Sequence, residues 1–208
     1  MNRVIKLLLI SDIFTITGFG FIDPIFAVFL KEDLAGSSLF AVGLASSIFF
    51  VVKSIIQVPF SKHVDTHDDA DDLRWLITGL GLIIITPIIY IFATHINTIY
   101  IAQAIYGLGA GLAYPAWLGL WSTHLDKKHE SYEWSLYSAL VGLGTASSAL
   151  IGGAIAQYVG FQVVFLIVAI LATIGASILF FLFKNKKDLS LKMQSSYYKK
   201  RKIVKNRN

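Results

Sequence analysis

Six long apolar stretches alternate with short polar ones, over residues 7–30, 38–61, 73–94, 100–123, 135–159 and 161–183. A helix rising ~1.5 Å per residue needs ~20 apolar residues to cross a hydrocarbon layer of about 30 Å, and each stretch meets that length. None alternates with the period of two that a membrane barrel requires, so the pattern predicts helices. The connections are short, notably 95–98 and the turn at Gly160. Consecutive helices are therefore expected to lie side by side as antiparallel hairpins. The expected architecture is all-α: a six-helix transmembrane domain over residues 1–183, then a tail over 184–208 expected to be disordered.

Composition places these helices in a bilayer. Of the 208 residues 55% are hydrophobic and 15% charged, and the charges collect in clusters between the apolar runs. A water-soluble helix needs a polar face, which these runs lack. The chain has no cysteine, which excludes disulfides, cysteine-zinc sites and thiol catalysis. Arg3 and Lys6 precede the first run as in a signal peptide, but the run is too long for one and lacks a small-residue cleavage site, so it is read as a retained span.

Basic residues set the orientation. Arg3, Lys6, Lys62, Arg74, Lys127, Lys128 and the tail fall on one side, and Lys31 alone on the other, beside Glu32 and Asp33. The positive-inside rule then predicts cytoplasmic termini, in a plasma (inner) membrane. The basic tail is read as an ordinary positive flank rather than a lipid anchor or nucleic-acid contact, because orientation alone accounts for its charge.

Three ionisable residues fall inside the apolar runs: Asp12 and Asp23 in the first and Lys53 in the second. Each costs ~2.5–3.5 kcal/mol near a helix centre, so each is expected to face a polar cavity or a partner. Side chains tilt toward their helix N-terminus, which brings Lys53 nearer Asp23 than Asp12, though either pairing is within reach. Two readings follow: a substrate or proton site, or a fixed ion pair holding two helices together. Pro24 after Asp23 frees a carbonyl one turn back and permits a kink there.

The fourth run carries Gly107, Gly109 and Gly111, and the fifth Gly152 and Gly153, where small residues let helices approach closely. Pro24, Pro59, Pro87 and Pro115 place one proline in each of the first four runs. Tyr114 and Trp117 lie deep enough to line a cavity or to pack the core. Between the second and third runs, residues 61–74 contain two histidines and five aspartates. Their spacing matches no defined metal motif, so the segment is read as a solvated loop, with no metal or cofactor predicted.

Certain motifs resemble the major facilitator superfamily. In that family the loop between spans two and three carries a glycine, an aspartate four residues on, and basic residues. Here Ser61 stands in the glycine position, Asp65 matches the aspartate, and Thr66 and an acidic run replace the basic cluster, leaving Arg74. The glycine run at 107–111 is similar to the family's glycine-rich span four, with Gln103 where an arginine usually sits. Gly152, Gly153, the Gly160 turn and the PheGlnValValPhe after it also resemble the family, while Ser148 and Ala149 replace its antiporters' glycine-proline pair.

The resemblance implies two inverted three-helix repeats, faintly echoed by Ser61 to Asp65 before run three and Gly153 to Gln157 before run six. It implies a cytoplasmic gate at Ser61, Asp65 and Arg74, and a substrate or proton site among Asp12, Asp23, Lys53, Gln103, Tyr114 and Trp117. Family members usually have twelve spans, and six are found here. The expected function is a half-size transporter moving a small solute by alternating access as a homodimer or with a second six-helix half. The alternative is a membrane scaffold, or a fragment needing another half. An intramembrane protease is not expected, because the Gly-x-Ser-Gly nucleophile context and an intramembrane histidine are both missing.

Overall fold

The computed structural model describes residues 2–183, so the expected disordered tail lies outside the described residues. Seven helices follow in order: α1 Arg3–Gly20, α2 Phe26–Asp33, α3 Leu39–Thr66, α4 Asp69–Ile91, α5 Ile96–His124, α6 Glu130–Tyr158 and α7 Phe161–Phe183. The described residues contain no strand, only one isolated bridge between Ala35 and His95. The all-α expectation holds. Four helices, α3, α4, α6 and α7, are long and apolar enough to cross a membrane. The 18 residues of α1 include Arg3, Lys6 and Asp12, and α5, free of Asp, Glu, Lys and Arg, is diluted by glycine, tyrosine and tryptophan.

The first apolar run is not one helix. It breaks after Gly20, and α2 resumes at Phe26. Pro24 has no N–H to give, and the backbone turns instead through three-residue bonds, Ile22 N–H to Phe19 O at 2.8 Å and Ile25 N–H to Ile22 O at 2.9 Å. Pro59, Pro87 and Pro115 stay inside continuous helices.

The segment read as a loop between the second and third runs is nearly all helix. α3 continues to Thr66 and α4 starts at Asp69, leaving two residues between them. Asp68 caps α4, its side chain accepting from the Asp71 N–H at 2.8 Å. Asp69, Asp71 and Asp72 fill the first turn, where the positive end of the helix dipole favours carboxylates. An acidic run that suggests a loop is thus a helix start. Between α5 and α6, Asp126 accepts from the Lys128 N–H and pairs with His129, both at 3.0 Å. Those contacts, the backbone one foremost, hold its carboxyl below the ordinary value of 3.8.

Packing follows a repeated scheme. α5 lies against α3 and α4, α1 lies against α6 and α7, and α4 against α7 joins the two groups. Glycine permits the closest approaches. A Cβ on Gly79 would meet the Gly109 carbonyl at 2.6 Å, and one on Gly109 the Gly79 carbonyl at 2.7 Å. Gly107 admits the Phe49 carbonyl of α3 and Gly111 admits Ile56. On α6, Gly152 takes the backbone of Phe21, while Gly153, expected at the same packing surface, faces open space. The next residue of a helix lies about 100° further round, which is enough to leave the contact.

Candidate functional site

The broken run and the two glycine-rich faces leave a groove between α1, α3 and α5. Its middle is a cavity of about 270 Å³ lined by Asp12, Phe19, Asp23, Lys53, Tyr106, Tyr114, Trp117 and Tyr137, with apolar walls from α4. A second cavity of about 440 Å³ shares Phe19, Asp23, Phe49 and Tyr106 with it and adds Gln103 and Tyr90. A third of about 310 Å³ shares Tyr114 and adds Ser61, Val64, Asp65 and Ser122. Through these shared residues the three form one chain from the end of α3 to the break after α1.

The side chains expected at the site meet there. Asp12 accepts a hydrogen bond from the Tyr137 hydroxyl of α6 at 2.9 Å. Asp23 sits exposed in the break itself, where the missing helical turn opens space. Lys53 reaches neither carboxylate at ion-pair distance among the described residues. Its ammonium lies 5.0 Å from the Tyr114 ring centroid and 5.9 Å from that of Phe49. A cation over an aromatic face gains ~0.5–2 kcal/mol, so the rings hold the charge where the ion-pair reading expected a carboxylate.

Gln103 is buried, and its carbonyl oxygen has no hydrogen-bond partner among the described residues. A buried, unpaired acceptor is costly, of order 1–3 kcal/mol, and it lies on the same cavity as Asp23. Trp117 is likewise buried with an unpaired indole N–H, stacked on Trp121 at 5.0 Å between centroids. Trp134 and Tyr137 of α6 close around this pair. Tyr106 is sandwiched by Phe19 at 4.9 Å and Phe49 at 4.4 Å, an aromatic partition between the two upper cavities.

The gate residues separate. Ser61 and Asp65 line the third cavity, Ser61 donating to the Val58 carbonyl at 2.8 Å. Arg74 is exposed on α4, makes no ion pair with Asp65 among the described residues and does not line that cavity. The buried polar side chains at this end include Asp69 and His124, 3.7 Å apart and fully enclosed. Asp69 lies in the segment read from sequence as a solvated loop. Tyr137 was also missed, since only the tertiary packing of α6 on α1 reveals it, whereas Tyr106 shares a helix with Tyr114 and Trp117 and had a local signal.

Comparison with known proteins shows the family. The family model described as Major Facilitator Superfamily matches residues 8–203. The chain is 26% identical over 202 residues to Multidrug resistance protein 2 of Bacillus subtilis (strain 168), covering 96% of this chain and 48% of that one. It is 28% identical over 161 residues to the Quinolone resistance protein NorA of Staphylococcus aureus, 76% of this chain and 39% of that one. It is 25% identical over 119 residues to the proton-coupled antiporter flippase LtaA of Staphylococcus saprophyticus, 56% of this chain and 27% of that one. In fold it resembles the crystal structure of the POT family transporter PepTSo, with a TM-score of 0.74, 15% identity, and coverage of 88% of this chain and 38% of that one. The chain thus spans about half the length, or less, of the relatives it matches.

Proposed function

Because the chain belongs to the major facilitator superfamily, we propose that its integral membrane bundle forms one half of an alternating-access transporter, completed by a second copy across the groove. The carrying observation is one-sidedness. Asp12, Asp23, Lys53, Tyr114 and Trp117 line one side of the groove, and the apolar faces of α3 and α6 are exposed. Phe40, Phe50, Val51 and Ile55 of α3 and Leu143, Leu150 and Ile151 of α6 are all exposed. A second half placed by a two-fold axis along the membrane normal would close the groove and cover part of those faces.

The same reading counts six spans, with α1 and α2 together forming one broken span and α3 to α7 the other five. Interchange of α1, α3, α4 with α5, α6, α7 exchanges the α4–α5 pairing with α1–α7 and the α3–α5 pairing with α1–α6, and returns α4–α7 to itself, as inverted repeats require. The basic residues put both termini in the cytoplasm. Two carboxylates, one ammonium and a set of aromatic rings suit a small amphipathic solute carrying positive charge, and two relatives bear drug-resistance names. Asp23 is its anchor, Asp12 with Tyr137 a second contact, and Lys53 the counter-charge that occupies the rings when solute is absent. A distinct six-helix subunit is the second reading for the missing half, favoured by the length of the relatives.

The test is uptake of a fluorescent organic cation into proteoliposomes holding the full chain. Transport that falls at least about tenfold in Asp23→Asn, with the variant still folded, supports the assignment. Equal transport by Asp23→Asn and the unaltered chain contradicts it.

A further inference from the structure

The junction of α3 and α4 brings together three side chains that the groove does not use. His63 lies in the last turn of α3, His67 follows the helix end four residues later, and Asp71 comes from the first turn of α4. Spacing of four residues puts the histidines on one face, and the two-residue corner swings α4 back toward them. One ligand atom from each of the three lies within 4.8 Å of the others. His63 Nε2 is 2.8 Å from Asp71 Oδ2, linking the two helices.

The rings are packed by their neighbours. His63 is stacked between His67, at 3.6 Å, and Phe60, at 5.5 Å, with Trp75 of α4 edge-on at 6.0 Å. The Nδ1 of His67 is 2.7 Å from the His63 carbonyl oxygen. A carbonyl only accepts, so Nδ1 carries the hydrogen, and in the neutral ring the lone pair is on Nε2. Metal-binding histidines are held in this way, by donating their other ring N–H to a carbonyl or carboxylate. The helix end accounts for the His67 contact and leaves Nε2 free to bind.

We propose that His63, His67 and Asp71 bind a divalent transition-metal ion of the zinc class, which clamps the end of α3 to the start of α4. Two imidazoles and a carboxylate suit zinc, with a fourth position left for water. Bonds of ~2.0–2.1 Å in a tetrahedron separate ligand atoms by about 3.3 Å, and an imidazole binds in its ring plane, so His63 must turn out of its stack on His67 for the two to share an ion. The ion replaces the His63–Asp71 hydrogen bond. All three residues reach solvent: His63 and Asp71 are part-exposed and His67 is exposed, so an ion can enter. The site is independent of the transport reading.

Calorimetric titration of the metal-stripped full chain in detergent with Zn²⁺ tests it. The expected result is one strong site per chain, weakened at least about tenfold in His63→Ala, His67→Ala and Asp71→Asn, since losing even a group that only hydrogen-bonds a metal ligand costs ~10–100-fold. His67→Cys, which replaces one zinc ligand by another, should keep the site. His129→Ala should leave it unchanged, because His129 pairs with Asp126 on the connection between α5 and α6. Helical content and elution volume report whether each variant folds. Absence of Zn²⁺ binding by the intact chain, or equal binding by folded His67→Ala and the intact chain, overturns the proposal.

Discussion

Helices α5 and α6 are each 29 residues long, glycine-rich and without a polar face, yet they are packed in opposite ways. Fourteen residues of α5 are buried against three of α6. On α5 the glycines at 107 and 111 receive α3 while Gly109 receives α4, so two neighbours approach from different sides. On α6, Gly152 receives α1, but Gly142 and Gly153 face open space. A glycine stripe licenses close approach without saying whether a neighbour comes. In α5 it builds the centre of the bundle, and in α6 it leaves a surface on which lipid or another protein must lie.

The largest effect expected to break this contrast is Gly109→Leu. Its Cβ would meet the Gly79 carbonyl at 2.7 Å, a backbone atom that cannot rotate away. Overpacking of that kind costs typically 1–3 kcal/mol and more where backbone resists, so the variant should melt well below the unaltered chain. Gly142→Leu and Gly153→Leu should leave the melting temperature nearly unchanged. Equal losses at 109 and 142 would show that the two helices are packed alike.

A smaller effect follows from Tyr137→Phe, which removes the hydroxyl bonded to Asp12 and loosens α6 from α1. Leaving one partner of a buried hydrogen bond unpaired costs ~1–3 kcal/mol, and a thermal melt of the variant reads that loss. Lys53→Met should cost less in stability, about 0.5–2 kcal/mol from the lost cation–ring contact, while changing the selectivity of transport between cationic and neutral solutes. The slightest effect is at Asp126, on the exposed connection between α5 and α6. Its carboxyl is depressed, so the stabilisation is present above 3.8 and is lost as pH falls through the lower folded value. Asp126→Asn should therefore matter slightly at neutral pH and not at all in strong acid, as melts at both conditions would register.

Hydrophobic runs located α3 to α7 because lipid demands apolar length, and ionisable residues within those runs marked Asp12, Asp23 and Lys53. What escaped sequence reading has physical causes. Hydropathy records the apolar middle of a helix and not its polar extensions, so α3 and α4 were cut short at 61 and begun late at 73, and the acidic first turn of α4 was read as loop. Pro24 signalled a kink but not its depth, since Pro59, Pro87 and Pro115 sit inside continuous helices. Tyr137 and the Asp69–His124 pair join residues from distant helices, so no local spacing encodes them, while His63, His67 and Asp71 lie in one segment but meet only because the chain turns sharply between α3 and α4.

The claim on which the account rests is that the groove faces a second copy of this chain. Single-molecule photobleaching of singly labelled protein in liposomes at high lipid dilution measures it directly. Two bleaching steps per particle, persisting as lipid is added, are predicted. A population that bleaches in one step at every dilution, with the fold intact, would contradict the account.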